Sequence, residues 1–245
     1  MRNSILFIAL VLIAIPLWAQ QPPKDARTTE LWSPKPVKIT PGTTFGEAPS
    51  DAVILFDGKD LSKWSSADGA DAKWTVKDGA FTVLVGSGEI KTKQTFGDIQ
   101  LHLEWREPAD VKGSGQDRGN SGVFFQDRYE LQVLESYSNE TYVNGQAGAV
   151  YKQYIPLVNA TKKPGDWQTY DVVYTAPRFS DNGNLINPGR MTVLLNGVLI
   201  QNNVSIWGTT ENQGSPSYSP HGKGSLKLQD HSHPVSFRNI WVREL

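Results

Sequence analysis

Between residue 51 and the C-terminus no stretch sustains a helical period for three turns. Short apolar or alternating runs take its place, broken by Gly, Asn, Asp and Pro, which is the punctuation of strands joined by tight turns. Runs at 52–56, 74–77, 80–85, Ile99–Arg106, 123–125, 129–134, 169–174, 191–195, 198–201, 226–230 and 235–242 read as strands. Asp78-Gly79 and Asn196-Gly197 each stand between two such runs, a strong short-range hairpin signal. On the order of ten strands without an internal repeat predict one large antiparallel sandwich rather than two small domains.

The residues before this stretch are of another kind. Arg2 is followed by an unbroken apolar run at 5–15 and then by Pro16, Leu17, Trp18 and Ala19. This is the pattern of a secretory signal cut after Ala19, and the run is shorter than the roughly 18 residues a spanning helix requires. Residues 20–50 are proline-rich and polar with no apolar period, and read as a linker that lies loosely on the domain or is disordered. The expected organisation is a signal peptide at 1–19, a linker at 20–50 and one domain at 51–245, in a secreted or periplasmic protein with no membrane span after cleavage. The chain has no cysteine, which excludes disulfides, thiolate zinc sites, thiol catalysis and a lipid-modified cysteine after the leader. A formal net charge of -1 offers nothing to attract nucleic acid or an anionic membrane.

Strand parity sorts the remaining polar residues, because successive side chains point to opposite faces. In Ile99–Arg106 the residues Ile99, Leu101, Leu103 and Trp105 share one face, and His102 and Glu104 the other. Further on, Tyr129, Leu131 and Val133 oppose Glu130 and Gln132, and Leu226 and Leu228 oppose Lys227, Gln229 and His231. The expectation is one polar, concave face carrying His102, Glu104, Glu130, Gln132, Gln229 and His231. A plain solvated sheet face would favour Lys and Thr, whereas these carboxylates, carboxamides and imidazoles bond to vicinal hydroxyls and move protons. Eight tryptophans suit both a sandwich core and sugar stacking, so composition does not choose between these uses.

Three local motifs add candidates. Glu130-Leu-Gln-Val-Leu-Glu135 is similar to the acidic signature of laminarinase-like retaining glycosidases, with Gln132 standing where those enzymes have Asp. A β-bulge is needed to bring Glu135 to the Glu130 face; without one it turns to the core, where a lone carboxylate is costly. Arg118-Gly-Asn-Ser-Gly122 suits a tight turn that brings backbone to a ligand. His231 and His233 share a face and would hold a divalent metal if a third ligand joined them; no other cofactor is expected.

Taken in order, Leu55-Phe56-Asp57-Gly58-Lys59-Asp60-Leu61-Ser62-Lys63-Trp64, Leu103-Glu104-Trp105-Arg106, Asn120-Ser121-Gly122, Glu130-Leu-Gln-Val-Leu-Glu135, Gly148-Ala-Val-Tyr151, Asn196-Gly197, Leu228-Gln229-Asp230-His231 and Phe237-Arg238-Asn239-Ile240 resemble the 3-keto-disaccharide hydrolase family, also described as 3-keto-glucoside 1,2-lyases and 3-keto-2-hydroxyglucal hydratases. The resemblance runs from about Val53 to the C-terminus. Glu135 stands where Asp is usual, and Ser232-His233-Pro234 where Gly is usual. It implies a concanavalin A/laminarinase-like jelly roll that acts on glycosides already oxidised at C3, and hence functional coupling to a glycoside 3-dehydrogenase. A C3 ketone acidifies the C2 proton; its removal lets the C1 substituent leave, and water then adds across the double bond. Glu130 or His231 would be the base and Glu135 or Glu104 the acid. Glu104, Asn120, Gln132, Tyr151, Trp167, Gln229 and Asp230 would bind substrate, with Tyr137 a further stacking candidate.

Three other readings stand beside this one, of which a structural adhesion domain has no positive support in the sequence. A lectin-like module fits the same fold without catalysis. A retaining glycosidase would use Glu130 and Glu135, but needs carboxyl groups about 5–5.5 Å apart, whereas five strand steps separate their backbones by roughly 15 Å. The leader predicts that N-terminal sequencing of the exported protein starts near Gln20; an intact Met1 on the mature protein would contradict it.

Overall fold

The computed structural model describes residues 25–245; the expected signal peptide and its cleavage point lie outside the described residues. The chain divides into two units, Met1–Lys38 and Ile39–Leu245. In the described part of the first, a 3-10 turn at Ala26–Thr29 is capped by Asp25, whose carboxylate accepts from the Arg27 amide. The second unit begins twelve residues before the expected domain boundary at 51, because the end of the proline-rich segment packs as part of it.

That second unit is an all-β jelly-roll sandwich. Its larger sheet has eight strands: β1 (Val53–Phe56), β3 (Thr75–Lys77), β4 (Ala80–Thr82), β6 (Ile99–Arg106), β9 (Gln168–Thr175), β12 (Arg190–Leu195), β13 (Val198–Ser205) and β15 (Ser236–Glu244). Its smaller sheet runs in the order β2 (Trp64–Ser66), β5 (Ile90–Phe96), β14 (Gly224–Leu228), β7 (Ser121–Phe125), β8 (Tyr129–Val133). A short ribbon of β10 (Arg178–Phe179) and β11 (Leu185–Asn187) stands apart from both. The strand pairings are antiparallel, as tight turns require. β15 organises the larger sheet, with β6 along one side and β1 and β4 sharing the other.

Alternation puts Leu101, Leu103 and Trp105 of β6, Tyr170, Val172 and Tyr174 of β9, and Leu131 and Val133 of β8 into the space between the sheets. β15 cannot keep strict alternation: a bulge between Arg238 and Trp241, with Asn239 at φ 46, resets its parity. Phe237, Ile240 and Val242 thereby all reach the core, and Trp241 is sent to the outer face. At one end of the core Phe81 packs edge-on to Phe56 at 4.7 Å, with Trp64, Trp74 and Phe237 within 6.0 Å of it or of one another. Trp64 comes from the smaller sheet and Phe81 and Phe237 from the larger, so the cluster joins the two. The indoles satisfy their N–H groups on the Leu55 and Gly88 carbonyls.

β5 was not among the expected strands. Thr92 is buried, but Lys93, Gln94 and Thr95 are exposed in succession, which erases the alternation that betrays a strand. Phe81→Ala should cost about 3–5 kcal/mol by urea unfolding, since it empties the centre of the inter-sheet aromatic cluster. Phe81→Leu should cost clearly less.

Candidate active site

A groove of about 640 Å³ opens on the outer face of the smaller sheet, away from the core. Its floor is built from the non-core parity of β7 and β8: Gly122 pairs with Gln132 and Phe124 with Glu130. The chain beyond β14 extends this floor, because the Gln229 amide donates to the Gly122 carbonyl at 3.1 Å. Gln116 forms one wall; its Oε1 accepts from Gln132 Nε2, and its carbonyl accepts from Asn120 Nδ2. Tyr142, Tyr151, Lys152, Thr210 and Asn212 form the other. The Tyr142 and Tyr151 hydroxyls are hydrogen-bonded, and Lys152 Nζ donates to Asn212 Oδ1 at 3.0 Å.

Glu130 is 5% exposed and lies over the backbone of Gly122. A Cβ at position 122 would stand 2.6 Å from Glu130 Oε1, so the carboxyl occupies space that glycine leaves open. Burial pushes the Glu130 carboxyl up to about 8, against a smaller downward pull from Lys227. Two further groove atoms, Asn120 Oδ1 and Gln229 Oε1, are buried acceptors without a partner. Such atoms are rare in a finished fold, and hydroxyl donors of a ligand would satisfy both.

Of the residues expected to form the site, Glu130, Gln132, Asn120, Tyr151, Gln229 and His231 line this groove together. Glu135, Glu104, Trp167 and Asp230 do not. β8 stops at Val133, and Glu135 turns inward, fully buried, where it accepts from Arg118 Nε at 2.6 Å and the Ser138 amide at 2.8 Å. The partner that makes its burial tolerable is thus Arg118, and the bulge that would have returned it to the Glu130 face is absent. Glu104 and His102 belong to β6 in the larger sheet, so the single polar face expected from three strands is in fact two faces on opposite sides of the sandwich. There burial would raise the Glu104 carboxyl, but the His102 imidazole 3.8 Å away and hydrogen bonds from Asn239 and Arg238 hold it at about 2.

Trp167 offers no free ring to a sugar in the groove: the Arg106 and Arg238 guanidiniums lie 4.5 and 4.2 Å from its centroid. Asp230 accepts from the Gly88 and Ser232 amides and so fixes the loop after β14. Tyr137 is exposed and outside the groove lining. His233 faces Asp117 at 3.3 Å, and among the described residues no group of three or more His, Asp or Glu side chains is arranged to hold a metal. Sequence reasoning missed Gln116, Phe124, Tyr142, Lys152, Thr210 and Asn212. Phe124 shares the parity of Gly122 and was legible in principle, whereas the other five reach the groove from loops whose path no period encodes.

The sequence profile of the 3-keto-alpha-glucoside-1,2-lyase-like domain matches residues 51–243. The chain belongs to this family. A 3-keto-disaccharide hydrolase of Bacteroides thetaiotaomicron is 25% identical over 81% of each chain. A crystal structure of a candidate glycosyl hydrolase from Parabacteroides distasonis is 52% identical, with a TM-score of 0.87 over 90% of this chain and 97% of that one. A second from the same organism, 23% identical with a TM-score of 0.59 over 85% of this chain and all of that one, shares the fold. The protein is accordingly a carbohydrate-active hydrolase of the 3-keto-disaccharide hydrolase family.

The raised Glu130 carboxyl has a consequence for stability. Its folded-state value of about 8 exceeds the ordinary 4.5, so its contribution is fully present below pH 4.5 and is lost as pH rises towards 8. Glu130→Gln, which cannot ionise, should therefore gain Tm relative to the wild type between pH 5 and pH 8. The gain should level off above that, as read by thermal melts across the pH range.

Proposed function

We propose that this protein cleaves 3-keto-glycosides outside the cytoplasm by elimination and hydration, with Glu130 as the base. The observation that carries this reading is a single carboxyl in the groove: Glu130 is the one acidic residue among its lining side chains. Glycosidases of the retaining and inverting types flank the scissile bond with two carboxyl groups. Elimination needs one base, and a carboxylate of high proton affinity serves it better than an ordinary one.

Glu130 takes the C2 proton, and the C2–H electrons form the enolate of the C3 ketone. Collapse of the enolate restores the ketone, makes a C1–C2 double bond and expels the C1 oxygen, which takes a proton from His231, the one imidazole in the groove. Water then adds its hydroxyl to C1 and a proton to C2, giving the free 3-keto sugar. Asn120 Oδ1 and Gln229 Oε1 accept from ring hydroxyls, which orients the sugar. The Tyr142 and Tyr151 rings line another wall of the groove. The substrate must be supplied by an oxidoreductase that converts a glycoside C3 hydroxyl to the ketone. Export follows from the leader read in the sequence.

The test is the reaction in heavy water with a 3-keto-glucoside and its unoxidised parent. Deuterium should enter at C2 of the product faster than in a control with the free ketone alone, and Glu130→Gln should lower turnover by about 10²–10⁴-fold. Cleavage of the parent sugar with its C2 hydrogen kept would sink the proposal in favour of a glycosidase. Binding of either sugar without turnover would sink it in favour of a lectin.

A further inference from the structure

Three side chains form one cross-strand row on the groove face. Lys227 of β14 is paired with Phe124 of β7, and Phe124 with Glu130 of β8. Adjacent strands are about 4.8 Å apart, so roughly 10 Å separates the backbones of Lys227 and Glu130, a span that two long side chains can close. They do not close it. The Lys227 ammonium lies 4.3 Å from the centroid of the Phe124 ring, and is bound by Asp127 at 2.8 Å and Glu89 at 3.6 Å. The ring edge and the Glu130 carboxyl both lie over Gly122, where an added Cβ would stand 2.8 Å from Phe124 Cε2 and 2.6 Å from Glu130 Oε1. Phe124 is 8% exposed, so the ring fills its place in the row. The other titratable groups lining the groove are Tyr142, Tyr151, Lys152 and His231. Lys227 is the cation whose charge opposes the effect of burial on Glu130.

We propose that Phe124 is a positioning residue: its ring keeps the Lys227 ammonium and the Glu130 carboxyl from closing into an ion pair, and so sets how readily Glu130 takes up and releases a proton. The consequence for turnover rests on the reading of Glu130 as the base; the charge separation does not. An ion pair would turn Glu130 into a permanently ionised, weakly basic carboxylate, because a cation in contact favours the charged form. Asp127 and Glu89 act in the same direction as the ring by satisfying Lys227 elsewhere.

The experiment is a 13C NMR titration of glutamate Cδ in the full protein, with the Glu130 signal assigned by its loss in Glu130→Gln. In Phe124→Ala the midpoint should fall by about one pH unit or more, a roughly tenfold weaker hold on the proton. In Phe124→Leu, which keeps an apolar body between the charges, it should stay near the wild-type value. In Phe124→Ala combined with Lys227→Met it should return towards the wild-type value. If Phe124→Ala folds poorly, Phe124→Val should shift the midpoint in the same direction. An unchanged midpoint in the small-residue variant overturns the proposal. So does a midpoint that stays low in the double variant, because water entry and not the lysine would then be the cause. The ascending limb of kcat/KM on a 3-keto-glucoside should follow the same midpoints. Midpoints that move as expected while no variant turns over the sugar would defeat the functional reading and leave the role of Phe124 standing.

Discussion

The carboxyl of Glu130 lies over Gly122, in space that a side chain there would occupy, and it sits on the floor of the groove. A side chain at position 122 would meet both Glu130 and Phe124, so the missing Cβ decides where the acid goes. On an ordinary solvated face the carboxylate would extend into water and ionise at little cost. Here it is buried on the groove floor, and desolvation outweighs the attraction of Lys227. The two buried acceptors on Asn120 and Gln229 lie in the same groove, so a proton-transfer group and two hydroxyl-seeking atoms share one space.

Glu135, the second acid of the Glu130 motif, is handled in the opposite way. Glu135 is neutralised by Arg118, which also donates to the Val111 carbonyl, so the pair ties the loop before β7 to the end of β8. That loop delivers Gln116 and Asn120 to the groove. Glu107 lies near it: burial, with some repulsion from Glu135, pushes its carboxyl up to about 7, and its Oε2 has no hydrogen-bond partner. Glu135 thus supports the site through its ion pair without lining it.

On the far side of the sandwich the bulge at Asn239 governs a separate polar cluster. By turning Trp241 outward it lets the indole stack on His102 at 5.5 Å. The Gly46 carbonyl then accepts from both Trp241 Nε1 and Asn239 Nδ2. Burial would lower the His102 imidazole, but Asp171 and Glu104 raise it to about 9. This is why the segment at 39–50 belongs to the domain: it covers an aromatic and charged surface that the bulge created.

Much of the architecture follows from the sequence itself. The period-two alternation of Ile99–Arg106 and Tyr129–Val133 determined those strands and which of their residues meet the core, because parity is a local property of an extended backbone. The same rule put Glu130 and Gln132 on one face; Gln229 and His231, expected on one face of a strand, lie past the end of β14 and still reach the groove. Parity does not say which sheet a strand joins. His102 and Glu104 therefore read as neighbours of Glu130, while strand pairing sets them on the other side of the molecule. Nor does it say where a strand stops, and the end of β8 at Val133 together with Arg118 sent Glu135 inward. The loop residues Gln116, Lys152, Thr210 and Asn212 came into the groove by tertiary packing alone, since loops carry no period. The proton affinity of Glu130 was likewise decided only by the fold, because it depends on how much water and which charges surround one carboxyl.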